Sequence, residues 1–306
     1  MIRILGTIFA GLMGLAFGSF LNVCLSRWPQ GESVVSPRSH CRNCGRTLAW
    51  WENVPLVSWL ALRGRCRTCR AWIGWRYPLV ELAVGALWAQ QTWRFFESLS
   101  QPVFPEGAAF GLKWAFFDAA AKMLLYWLLV ALAVLDVENL WLPNRLTIPG
   151  ILSGLGFSIA AAYRMSWGSN GASDWGAGSV FLEGTFLAYL LAIVLGVLLA
   201  AGLILLFRWL YWLIRHREGI GLGDAKLMAL LAAWLDLPGA LLAFGIGIVF
   251  AALVAVVLLV LPSARLDKSA WAAKKLPLGT FLCIGGIISS LWGQPILAAY
   301  LRWASF

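Results

Sequence analysis

Apolar residues in this chain fall in long blocks separated by short polar stretches. The blocks lie near 4–26, 78–97, 115–135, 146–163, 180–213, 225–237, 239–262 and 277–301. Most of them approach the roughly 20 residues a helix needs to cross about 30 Å of hydrocarbon. Only helices and closed barrels satisfy their backbone in lipid, so the pattern predicts an all-α bundle with eight crossings. Two blocks depart from standard length. A helix over 180–213 would run roughly 50 Å at about 1.5 Å per residue, so its Arg208-Trp209-Leu210-Tyr211-Trp212 end is expected to protrude. A helix over 225–237 would reach only about 20 Å, which requires a thinned bilayer, a cavity or a re-entrant course. The basic 263–276 stretch favours a true crossing. The first block follows Met1-Ile2-Arg3 without a clear small-residue cleavage site and is expected to be retained. Its Gly14-x-x-x-Gly18 spacing either allows close helix packing or reflects chance in a glycine-rich chain.

Composition agrees: 61% of residues are hydrophobic, 12% are charged and the mean hydropathy is +0.78, which excludes a soluble globular protein. A net charge of +10 would point to nucleic acid in a soluble protein. Here the positive residues cluster in particular loops, so they read as an orientation signal and no nucleic-acid partner is expected. Residues 27–77 carry nine arginines against two glutamates. The 208–217 stretch has Arg208, Arg215 and Arg217, and 263–276 has Arg265, Lys268, Lys274 and Lys275. These loops are expected in the cytoplasm. The 98–114 stretch has only Lys113, 164–179 only Arg164, and 236–238 no positive charge, so these are expected outside. The short 136–145 loop takes the cytoplasmic side from its neighbours, and both termini then lie outside.

The domain organisation read from this pattern is a first transmembrane helix (1–27), a polar cytoplasmic module (28–77) and a seven-helix membrane core (78–306). The module contains Cys41-Arg-Asn-Cys44 and, after 21 intervening residues, Cys66-Arg-Thr-Cys69. Two Cys-x-x-Cys knuckles at this separation point to one tetrahedral zinc ion held by four thiolates, with Gly45 suited to the tight turn after the first knuckle. A reducing cytoplasm makes disulfides the weaker reading. Four cysteines close the coordination shell, so the metal is expected to be structural. His40 is an alternative ligand, though a surface histidine is the simpler reading, and Cys24 and Cys283 read as small packed residues.

Ionisable residues at membrane depth are costly, which makes each one a functional candidate. Asp136 ends the apolar run in Val134-Leu135-Asp136-Val137-Glu138, and Asp224 follows Gly221-Leu222-Gly223 at the head of the short helix. They are 88 positions apart, yet the charge topology puts both at the cytoplasmic membrane edge. Facing aspartates can share a proton, one activating water and the other protonating a scissile carbonyl. Gly221 and Gly223 would permit dihedrals closed to other residues and close approach of substrate, and Asp224 also suits a helix N-terminus. Singly, either acid could be a cap or an interfacial carboxylate. Glu81 is expected to pair with a loop arginine, while Asp118 and Glu183 fall on the outer side. The chain has neither His-Glu-x-x-His nor Gly-x-Ser-Gly, and its two histidines leave little room for histidine chemistry. Paired membrane carboxylates also serve proton relays, so an ion-coupled transporter is the alternative reading.

The ordered motifs extend the picture. They are Phe17-Gly18-Ser19-Phe20-Leu21-Asn22, Arg27-Trp28-Pro29, the double Cys-x-x-Cys, Arg76-Tyr77-Pro78-Leu79-Val80-Glu81, Asp136 with Leu142-Pro143, Gly221-Leu222-Gly223-Asp224-Ala225-Lys226, and Pro277-Leu278-Gly279-Thr280-Phe281-Leu282. In these the chain resembles the type IV prepilin peptidases, membrane aspartic proteases of the Gly-x-Gly-Asp type, almost end to end. The resemblance implies a multi-pass protein of the bacterial inner membrane. Such an enzyme removes the basic leader of type IV prepilins or type II secretion pseudopilins after a glycine, with Asp136 and Asp224 at the catalytic positions. It also implies methylation of the new N-terminal residue from S-adenosylmethionine. Arg42 and Asn144 depart from the family's usual proline and acid. The first loop is strongly basic and should repel a basic leader, so its arginines are expected to meet anionic lipid or an acidic residue beyond the cut, with Lys226 another partner.

Overall fold

The computed structural model describes residues 1–99, 108–167, 186–217, 221–260 and 276–304. The expected loops 164–179 and 263–276 lie almost wholly outside the described residues, as do Glu183 and much of 98–114. The helices are α1 (Ile2–Arg27), α2 (Val57–Ala61), α3 (Arg76–Leu99), α4 (Ala108–Asn139), α5 (Asn144–Trp167), α6 (Phe186–Arg215), α7 (Leu222–Val260) and α8 (Leu278–Ala304). Six helices among the described residues, α1 and α4 to α8, are long and apolar enough to cross a membrane. Together they make a multi-pass membrane protein. Large apolar side chains such as Leu198 and Leu199 on α6 are exposed, as lipid-facing residues should be.

Six is two fewer than the eight expected, for two separate reasons. Helix α3 is too polar to count among the six because Glu81, Gln90, Gln91, Arg94 and Glu97 interrupt its apolar run. The blocks 225–237 and 239–262 lie in one continuous element, α7, broken at Asp236, where φ is 58° and ψ 174°. The break reverses the chain. Gly223 lies against Leu142, as does Gly279 at the head of α8, while Gly247 lies against Phe281 two residues further on. A straight helix would separate residues 223 and 247 by about 36 Å. The first arm, 222–235, therefore runs beside α5, with Lys226 bonded to Asn144 and Trp234 to the Gly150 carbonyl. The second arm runs back along α8, where Ser289 Oγ donates to the Gly239 carbonyl at 2.8 Å.

The chain forms two compact units, Met1–Ala131 and Leu132–Phe306. In the first, α1 and α3 approach backbone to backbone. A Cβ on Gly14 would lie 2.9 Å from the Gly85 Cα, and one on Gly18 would lie 2.7 Å from the Glu81 Cα. The Gly-x-x-x-Gly spacing thus serves packing. Trp88 Nε1 donates to the Met123 carbonyl and ties in the first part of α4. In the second unit Phe157 stacks on Trp234, and Ser158 Oγ donates to the Ala233 carbonyl at 2.7 Å.

Candidate active site and metal centre

In the second unit, α4 runs past Asp136 and stops at Leu140, whose φ of 49° turns the chain sharply while its N–H still bonds the Asp136 carbonyl at 2.9 Å. The turn leads to Leu142. That side chain packs on two glycines at once: a Cβ on Gly223 would lie 3.1 Å from Leu142 Cβ, and one on Gly279 would lie 3.1 Å from Leu142 Cδ1. A Cβ on Gly279 would also lie 3.0 Å from the Asp136 carboxyl. The head of α7, with Asp224 in its first turn, and the head of α8 thus meet the end of α4. Asp136 and Asp224 sit on two of the elements that meet around Leu142.

Asp136 is buried, and its Oδ2 accepts the Thr280 N–H at 2.8 Å, with Thr280 Oγ1 at 3.2 Å. The first turn of α8, opened by Pro277, supplies that N–H because helix N-termini leave their amides unpaired. Asp224 Oδ2 accepts the Gly221 N–H at 3.2 Å, the return bond of a capping box, which makes Asp224 the third residue of its helix and Gly221 the cap. Neither Gly221 nor Gly223 has a positive φ, so the expected dihedral freedom is not what glycine provides here. Gly223 provides room for Leu142. Lys226 Nζ donates to Asn144 Oδ1 at 2.7 Å, so a half-buried lysine and the residue that replaces the family's usual acid are joined. Leu142, Gly279 and Thr280 belong to the motifs read above, but nothing in their residue types gave them a role. Only the small residue in a Pro-led first helical turn hinted that something packs closely there.

In the first unit, the thiol sulfurs of Cys41, Cys44, Cys66 and Cys69 all lie within 4.8 Å of one another, and Cys41 Sγ is 3.7 Å from Cys69 Sγ. A tetrahedral ion with bonds of about 2.3 Å puts its sulfurs about 3.8 Å apart, so the four residues fit zinc. The two knuckles share one backbone pattern. Gly45 N–H bonds Cys41 O and Arg70 N–H bonds Cys66 O, while Cys41 N–H bonds Arg46 O and Cys66 N–H bonds Ala71 O. Both turns pass through positive φ, 71° at Gly45 and 58° at Arg70. The backbone N–H groups of Cys69 and Thr68 lower the Cys66 thiol to about 6 and the Asn43 side chain lowers that of Cys69, while the crowding of the other thiols around Cys44 goes with a thiol raised to about 11. Glu52, held well below the usual carboxylate range by Arg46 Nη2 at 2.7 Å, braces the first knuckle and also accepts the Ala49 N–H. His40 stands outside the cluster, with Nδ1 3.1 Å from the Arg38 carbonyl.

Residues 12–95 match the bacterial peptidase A24 N-terminal domain, and residues 123–256 match the type IV leader peptidase family. The chain is 32% identical to a prepilin leader peptidase/N-methyltransferase of Stutzerimonas stutzeri, over 96% of this chain and 93% of that protein. It is 33% identical to the protein of that name from Pseudomonas aeruginosa, with the same two coverages. A Burkholderia pseudomallei relative of the same name is 36% identical over 94% of this chain and 85% of its own length. The chain belongs to the type IV leader peptidase family. It is therefore a peptidase, and both aspartates and the whole of the first arm of α7 fall within the matched family region. The four cysteines fall within the matched N-terminal domain. No solved structure matches the chain.

Proposed function

We propose that this protein cleaves the basic leader from type IV prepilins or type II secretion pseudopilins, with Asp136 and Asp224 acting as one dyad. The observation that carries the reading is the packing of Leu142 on both Gly223 and Gly279, with Gly279 against the Asp136 carboxyl. In the proposed reaction, the pair holds one proton between two carboxyls. The ionised member draws a proton from water as the water oxygen attacks the scissile carbonyl carbon, and the protonated member donates to the carbonyl oxygen. Collapse of the tetrahedral adduct breaks the C–N bond: the carboxyl that took the water's proton passes it to the leaving nitrogen, and the other carboxylate takes back the proton of the hydroxyl that becomes the new carbonyl oxygen. Thr280 orients Asp136 through its N–H, and Gly221 orients Asp224.

The fuller reading has eight crossings, counting α3 and each arm of α7, with both termini outside and the dyad and cysteine module at the cytoplasmic face of the inner membrane. The arginines of 27–77 and the reversal at Asp236 support it. Zinc held by Cys41, Cys44, Cys66 and Cys69 stabilises the module. Lys226, beside Asp224, is the proposed contact for an acidic residue past the cut, and the first-loop arginines meet anionic lipid. Relatives are named N-methyltransferases, which supports a second activity here: transfer of a methyl group from S-adenosylmethionine to the exposed N-terminus.

Co-expression with a prepilin, followed by intact mass of the product, tests both activities. The expected product lacks the leader and carries one added methyl group. An uncleaved precursor would contradict the peptidase reading, and a cleaved but unmethylated product would contradict the second activity.

A further inference from the structure

Helix α2 (Val57–Ala61) has two unlike faces. Ser58 and Trp59 turn inward, while Val57 and Leu60 are 61% and 66% exposed. Large apolar side chains three apart on one face, with nothing over them, suit lipid better than water. The tie that fixes the depth of α2 is Glu81. That buried carboxylate, expected to pair with a loop arginine, forms no ion pair among the described residues and instead accepts the Leu56 N–H at 2.8 Å, at the head of α2. The Glu81 backbone lies against Gly18 of α1, which is about 14 Å along that helix from its last residue, Arg27. Even with the Glu81 side chain leaning one turn toward the start of α3, the head of α2 lies about a turn on the membrane side of Arg27. A crossing of about 20 residues that begins at Ile4 ends near Val23, which puts α2 at the boundary between headgroups and acyl chains.

The neighbours of α2 continue the pattern. The Trp59 ring lies 4.5 Å from that of Trp75. Trp75 is exposed, and its carbonyl accepts the Leu79 N–H at 3.2 Å, so it stands on the helical face that carries the exposed Leu79, Leu82 and Ala86 along α3. Tryptophan at the end of a run of lipid-facing leucines is the usual arrangement at a membrane interface. Gly64 packs on Trp59 and Trp72, since a Cβ there would lie 2.9 Å and 2.8 Å from them. The residues on either side, Arg63 and Arg65, are exposed and form no ion pair among the described residues. Two free cations beside an apolar face fit a surface that is apolar below and anionic above. We propose that α2 is an interfacial anchor: Val57, Leu60 and Trp75 enter the cytoplasmic leaflet, and Arg63 and Arg65 hold anionic phospholipid headgroups. This anchor rests on the reading in which α3 crosses the membrane and the module faces the cytoplasm, and it embeds part of the module in the leaflet.

The test is photocrosslinking of the full-length protein in nanodiscs of phosphatidylethanolamine and phosphatidylglycerol. The photoreactive residue benzoylphenylalanine replaces Val57, Leu60 or, as the control on α3, Leu79. Metal content and melting temperature report whether each variant is folded. After irradiation, intact mass should show a phospholipid adduct at 57 and at 60, as at 79. Exchange of phosphatidylglycerol for phosphatidylcholine should lower the yield at 57 and 60 and leave that at 79 unchanged. An unchanged yield at all three positions would overturn the role given to Arg63 and Arg65. A lipid adduct at 79 alone, or adducts of 57 and 60 with a second copy of the chain or with added prepilin, would overturn the anchor and leave α3 as a crossing. Absence of a lipid adduct at 79 would remove the crossing and the anchor together.

Discussion

At the residue scale, the acids were legible in the sequence and their surroundings were not. Asp136 and Asp224 stand out because carboxylates in apolar runs are costly. What surrounds them is made mostly of groups that carry no chemical signature: a leucine, two glycines and two backbone N–H groups. This gives a specific expectation. Gly279→Ala puts a methyl group 3.0 Å from the Asp136 carboxyl and 3.1 Å from Leu142, so either the acid or the leucine must move. Leader cleavage by that variant should fall about 10²-fold, the scale of a displaced catalytic group, in initial rates measured on detergent-solubilised enzyme. Thr280→Val removes the hydroxyl at 3.2 Å but keeps the N–H at 2.8 Å. It should cost no more than about tenfold, and Thr280→Ser should restore the rate. Equal losses for Val and Ser would show that the hydroxyl does not position Asp136.

At the element scale, hydropathy found the blocks but not the joints. Residues 225–237 and 239–262 were separable because Asp236-Leu237-Pro238 interrupts them, yet the reversal itself depends on one residue at φ 58°. No propensity marks an aspartate for that backbone. Helix α3 is the opposite case, an apolar block whose polar positions include Glu81 and Gln91, both buried. Those groups make sense only once α1 and α4 lie beside them. The cysteine knuckles were legible in spacing and in Gly45, while Arg70, at the matching position of the second knuckle, was not. A non-glycine residue at φ 58° is disfavoured. Arg70→Gly should raise the stability of the module by about 1 kcal/mol, read as a higher melting temperature with metal bound. An unchanged or lower value would mean that the Arg70 side chain makes a compensating contact.

At the scale of the whole molecule, the sequence pattern gave a multi-pass bundle with a polar module and an ordered series of motifs, and the family match covers most of that series. The packing of each unit around close glycine contacts was beyond it, because a glycine says only that a neighbour is near and not which one. The two units carry separate chemistry. Metal removal should therefore be local: stripping the protein with a strong chelator should release one zinc per chain and expose 28–77 to protease before the helices of Leu132–Phe306 are cut. Simultaneous digestion throughout would show that the metal supports the whole bundle.

The central claim is that Asp136 and Asp224 form one catalytic pair. Its most direct test is the initial rate of leader cleavage by full-length wild type, Asp136→Asn, Asp224→Asn and the double variant, under identical conditions and with matched metal content. Each single variant should lose at least about 10²-fold, and the double variant should be no worse than the poorer single one, because the two acids act as a unit. A single Asn variant that cleaves the leader at the wild-type rate would contradict the account.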